Sequence, residues 1–105
     1  MDVSTVLETF SLATFSGHIG DHFKVRIDGA DDVIVTLVRA EPLGSEAGPR
    51  AGGRTPFSLE FAGPAMPVYP QATYHFHHAT IGDFEMFIVP IGPADGQMRY
   101  EAIFT

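Results

Sequence analysis

The sequence contains no cysteine and no tryptophan, and sets only six Lys+Arg against 13 Asp+Glu. It nowhere approaches the roughly 18 consecutive apolar residues that a membrane-spanning helix needs. Each shortage closes a class of reading. Without cysteine there is no disulfide framework, no thiolate nucleophile and no cysteine-based zinc knuckle. A formal net charge of −7 opposes attraction to phosphate backbones and anionic lipid, so no nucleic-acid partner is expected. No membrane insertion is expected either. The first twenty residues carry acids but no Lys or Arg, which is the wrong charge for a signal peptide and makes a cytoplasmic location the default expectation. Catalytic patterns are equally scarce. None of Ser4, Ser11, Ser16, Ser45 and Ser58 sits in the Gly-x-Ser-x-Gly context that exposes a nucleophilic oxygen. Gly52-Gly53 has no helix behind it to cradle a phosphate. Glu60, Glu85 and Glu101 fall on expected strands, where each suits a solvated face or a pairing with Arg26, Arg39 or Arg99. No catalytic residue, no cofactor and no enzyme activity is expected.

What is present is apolar and β-forming. The 105 residues are 45% hydrophobic, with nine Phe and three Tyr, enough apolar surface to repay the ordering entropy of one domain over residues 1–105. Helical spacing appears only near the start, at Leu12, Phe15 and Ile19, with Ser11 as a cap and Gly17 and Gly20 as its end. That stripe is expected to face the core. Residues 1–10 suit an arm or a helix. From His22 the period becomes two: Phe23, Val25 and Ile27 alternate with His22, Lys24, Arg26 and Asp28. Val33 to Arg39 and Phe84 to Ile91 are apolar on nearly all sides and are expected mid-sheet. Pro56 to Phe61 turns Phe57, Leu59 and Phe61 inward, Tyr74 and Phe76 alternate with His75 and His77, and Met98 to Phe104 closes the sequence. The Gly/Pro/Arg-rich residues 43–54 read as a flexible hairpin loop, and the prolines between Gly63 and Pro70 as a crossover. Six or seven short strands with one short N-terminal helix predict a mainly β fold, a small antiparallel sandwich or partly open barrel. Phe57, Leu59, Phe61, Phe76, Phe87 and Tyr100 are its expected core. A terminal strand at a sheet edge would offer unpaired backbone to another subunit, or the two ends pair with each other.

Five histidines in a cysteine-free chain are the candidate ligands, imidazole being the commonest metal donor. On a strand His75 and His77 share a face about 7 Å apart, a chelating spacing if His22, His78 or Asp83 arrives from a neighbouring element. The predicted metal set is His75, His77 and His22. The simpler alternative makes both strand histidines the polar face of an amphipathic strand.

The motifs Phe15-Ser16-Gly17-His18-Ile19-Gly20-Asp21-His22-Phe23, Pro56-Phe57-Ser58-Leu59-Glu60-Phe61, Pro70-Gln71-Ala72-Thr73-Tyr74, His78, Gly82-Asp83-Phe84-Glu85-Met86-Phe87-Ile88-Val89-Pro90-Ile91-Gly92 and Tyr100-Glu101-Ala102-Ile103-Phe104 are together similar to a small bacterial family catalogued as a domain of unknown function. Ala72 stands where that family has glycine, and His75 and His77 lie outside its pattern. The resemblance implies no activity. It implies an association with phage-tail-like fibre proteins bearing a tail-collar domain, and so a non-enzymatic structural or interaction subunit. Its partner would be itself or a tail-collar-like fibre protein, incorporated into an extracellular or particle-associated assembly. The alternative is a small metal- or ligand-binding β domain using the strand-borne histidines.

Overall fold

The structure, a computed structural model, describes residues 10–43 and 56–104. Nearly all of the expected arm and of the 43–54 loop therefore lies outside the described residues. Helix α1 spans Leu12–Ser16 and starts where the sequence places its cap. Ser11 is extended, its N–H donates to Thr14 Oγ1 at 3.0 Å, and the Thr14 N–H donates to the Ser11 carbonyl at 3.0 Å. Phe15 is completely buried and Leu12 packs against the core. Ile19 does not join them. The helix ends at Ser16, and the following turn carries Ile19 outward to 51% exposure.

Six strands follow: β1 His22–Arg26, β2 Val33–Pro42, β3 Phe57–Gly63, β4 Ala72–His78, β5 Gly82–Ala94 and β6 Gln97–Phe104. All pair antiparallel in the order β1-β2-β3-β6-β5-β4, and β4 returns to β1, so the sheet is a closed barrel. The expected mainly β fold, a small antiparallel sandwich or partly open barrel, is thereby narrowed to a closed six-stranded barrel. Closure depends on two long strands that each serve two neighbours. β2 pairs with β1 through Val33–Thr36 and with β3 through Thr36–Pro42, with a register shift between Leu37 and Arg39. β5 pairs with β4 through Gly82–Ile88 and with β6 through Val89–Ala94, with a shift between Pro90 and Gly92. Such bulges bend a strand and raise its twist, which turns the sheet back on itself. Gly92 sits there at φ +114°, a conformation that L side chains rarely adopt.

Closure also overturns the edge reading of the C-terminal strand, because β6 lies between β3 and β5. Among the described residues no helix is long and apolar enough to cross a membrane.

Period-two patterning puts Phe23 and Val25, Val35 and Leu37, Phe57, Leu59 and Phe61, Phe76, Phe84, Met86 and Ile88, and Met98, Tyr100, Ala102 and Phe104 inside. Eight of the nine phenylalanines are buried. The ninth, Phe87, was expected in the core and stands 51% exposed. Its strand fills the interior with Phe84, Met86 and Ile88, and pleating points the residue between Met86 and Ile88 the other way. Ile34 and Ile91 are turned out for the same reason, so neither all-apolar run is buried on both faces. Phe57 stacks on Phe104 at 4.6 Å between centroids and Phe76 on Phe84 at 5.6 Å. Each such pair adds about 0.5–1.5 kcal/mol beyond its buried area. The cavity among Val25, Val35, Tyr74, Ile88 and Tyr100 holds about 10 Å³, the room of one water at most. Over it crosses the proline-rich segment, where the Tyr69 N–H donates to the Tyr100 hydroxyl oxygen at 3.0 Å.

Candidate functional site

Since the barrel interior is filled, reactive groups collect on its outer face and at one end. On the outer face the β4–β5 hairpin sets His77 opposite Asp83 and His75 opposite Glu85, while β1 sets Lys24 beside His77 and Arg26 beside His75. Asp83 Oδ1 lies 2.7 Å from His77 Nδ1 and 3.4 Å from His75 Nε2. A carboxylate oxygen only accepts, so these two ring nitrogens carry the protons. Hydrogen bonding from His77, with a smaller contribution from His75, holds the Asp83 carboxyl below its ordinary range against some desolvation. Lys24, Arg26, Asp32, His75, His77 and Asp83 line an open concavity of about 240 Å³. It meets a second one, about 490 Å³, along Arg26 and His75.

The structure therefore sets two of the three predicted metal ligands, His75 and His77, beside Asp83, one of the alternatives for the third. His22, the third, is outward on β1 and its Nδ1 lies 3.1 Å from Thr36 Oγ1.

At the barrel end stands a cluster that sequence reasoning did not assemble. His78 has the inward parity of Phe76 and is only 4% exposed, its ring 4.5 Å from that of Phe23. Its Nδ1 accepts the N–H groups of Thr80 and Ile81, both at 3.0 Å. Nε2 must then carry the proton, which it donates to Asp21 Oδ2 at 2.8 Å. The same oxygen accepts from His18 Nδ1 at 2.9 Å. These bonds, His78 first and His18 second, hold the Asp21 carboxyl below its ordinary range.

The ligating atoms of His18, Asp21 and His78 lie within 4.8 Å of one another, but the proton pattern speaks against an ion there. A metal on Nε2 would require a proton on Nδ1, which faces two backbone N–H groups, or a full imidazolate. The trio is a hydrogen-bonded clasp tying the turn after α1 to the β4–β5 turn. Its sequence signal was the inward parity of His78; nothing in the spacing linked it to a residue 57 positions earlier.

The carboxylates considered for acid–base work are also placed. Glu60 takes Arg99 at 3.0 Å and faces Arg39 at 3.8 Å. It serves an ion pair between β3 and its neighbours.

Among known proteins, residues 10–104 match the model of a family described as a domain of unknown function, DUF6916. No curated protein matches the chain, and no solved structure does.

Proposed function

We propose, from the premise that the chain belongs to the DUF6916 family, that it is a non-enzymatic structural or interaction subunit whose contacts are made by side-chain faces of its barrel. The observation that carries this reading is a contrast. Among the described residues the interior cavity holds only about 10 Å³, while Phe87, Ile91 and Ile103 stand about half exposed on the outward faces of β5 and β6. Val89 lies opposite Glu101 in the β5–β6 register. Phe87 and Ile103 each stand two residues beyond that last paired position, on neighbouring strands. Contiguous exposed apolar surface marks association sites. Closure of the barrel gives every described strand a neighbour on both sides, so the exposed apolar side chains of β5 and β6, and not a sheet edge, are the surface that docks. The partner is a second copy or a fibre protein of a phage-derived, tail-like assembly, the class that the resemblance of the sequence motifs implies.

Size-exclusion chromatography with light scattering tests this. The wild-type protein is expected to self-associate, and the Phe87→Glu/Ile103→Glu double variant to run as a monomer with an unchanged far-ultraviolet circular dichroism spectrum. Association that survives the double change overturns the reading, and a wild type that stays monomeric at high concentration overturns the second copy as its partner.

A further inference from the structure

A strand chelates an ion when two donors stand two residues apart on its outward face and a third reaches them from the next strand. His75 and His77 supply the pair, and Asp83, in register with His77, supplies the third. We infer that His75, His77 and Asp83 form a surface site for a divalent transition metal, with zinc, copper(II) or nickel(II) as its chemical class. The inference is independent of the interaction-subunit reading.

The geometry rests on one oxygen. Asp83 Oδ1 is within 2.7 Å of one ring nitrogen and 3.4 Å of another, so the carboxylate already bridges the two imidazoles, whose nitrogens must draw closer to each other than they stand now to share an ion. Both rings now point a proton at that oxygen. A neutral imidazole moves its proton to the other nitrogen without any change in charge, which frees both lone pairs towards the ion and turns both N–H groups to water. The clasp at His78 lacks this freedom, because its second nitrogen faces two amides. Exposure helps as well. The side chains of His75, His77 and Asp83 are 25%, 50% and 59% exposed, so they can draw in to the roughly 2.0–2.2 Å that nitrogen and oxygen ligands of zinc require.

Asp32 lines the same concavity and offers a fourth donor; the site's open side admits water. Lys24 and Arg26 oppose a cation there, but Asp32 and Asp83 balance their charge. Both chains are exposed, with stems long enough to carry their heads into solvent. Two imidazoles with a carboxylate suit zinc, copper and nickel, whereas calcium and magnesium require an oxygen shell.

Isothermal titration of the full chain with zinc chloride, and separately with nickel chloride, reads the site. The expected result is one equivalent bound with a dissociation constant on the order of 10 μM. His75→Ala and His77→Ala should each weaken it at least about tenfold, and Asp83→Asn should weaken it about tenfold. His22→Ala should leave it unchanged, and magnesium chloride should give no saturable heat. His22, His77 and Asp83 are exposed and His75 is half-buried, and circular dichroism confirms that each variant is folded. Absence of saturable binding by the wild type, or binding that survives the His75→Ala/His77→Ala double change, overturns the site.

Discussion

Asp21 shows how much one side chain can organise. Its Oδ2 gathers an N–H from His78 and another from His18, and those bonds lower its carboxyl in the folded state. A group lowered on folding stabilises the native state above its unfolded value, about 3.9 for aspartate. That contribution disappears as pH falls through the lower folded value. Asp83, lowered chiefly by His77, adds a component of the same sign. The urea midpoint is therefore expected to hold steady at mildly acidic pH and to drop from about pH 4 downward, with a shallower drop in Asp21→Asn. In the interior, Phe61 is fully buried, meets Phe23 edge-on at 5.3 Å and packs on Phe76. Phe61→Ala should cost about 3–5 kcal/mol in a denaturant titration, by lost transfer energy and the cavity left behind. Residue-level legibility followed parity. Phe57, Leu59, Phe61, Phe76 and Tyr100 are inside as expected, whereas Phe87 misled because its run is apolar on both faces and composition there does not identify the inward one. His75 and His77 were legible from their two-residue spacing. The Asp21 clasp was not, because His78 lies 57 positions from Asp21 and no spacing rule links them.

Among the elements, β5 carries the most consequence. It pairs with β4 over its first half and β6 over its second, and the bulge before Gly92 redirects it between them. At Gly92 an added Cβ would meet no atom within 4 Å, so φ +114° alone decides the effect of a side chain there. Gly92→Ala should lower stability by about 1–3 kcal/mol. Gly17→Ala, where φ is −84° and the space is also open, should be neutral or gain up to about 1 kcal/mol. Thermal denaturation of the two variants side by side checks both signs. Element identity was legible because alternation and turn residues agree from His22 onward. The reach of β5 beyond Phe84–Ile91 was not. Gly82-Asp83 and Gly92-Pro93-Ala94 are made of turn-forming residues, yet they extend the ladder at both ends, since backbone pairing with β4 and β6 outweighs their local preference.

For the whole molecule the decisive feature is the seam that closes the barrel. There β1 meets β4 only through Lys24–Arg26 against His75–His77, whereas β3 and β6 run in register from Phe57–Phe104 to Gly63–Met98. A short ladder between strands far apart in sequence opens at lower free energy than a long one. Native-state hydrogen exchange should therefore show the amides of that seam exchanging before those shared by β3 and β6. Uniform protection around the barrel would contradict this. A closed barrel and a partly open one share the same strands and turns; what separates them is this single non-local pairing and two bulges, which periodicity does not encode. The clasp at the barrel end has one last consequence. With Nδ1 engaged by two amides, His78 is confined to a single tautomer for as long as the 78–81 turn exists. The nitrogen resonances of that one ring are thus a built-in spectroscopic gauge, reporting from inside the molecule whether its end is intact.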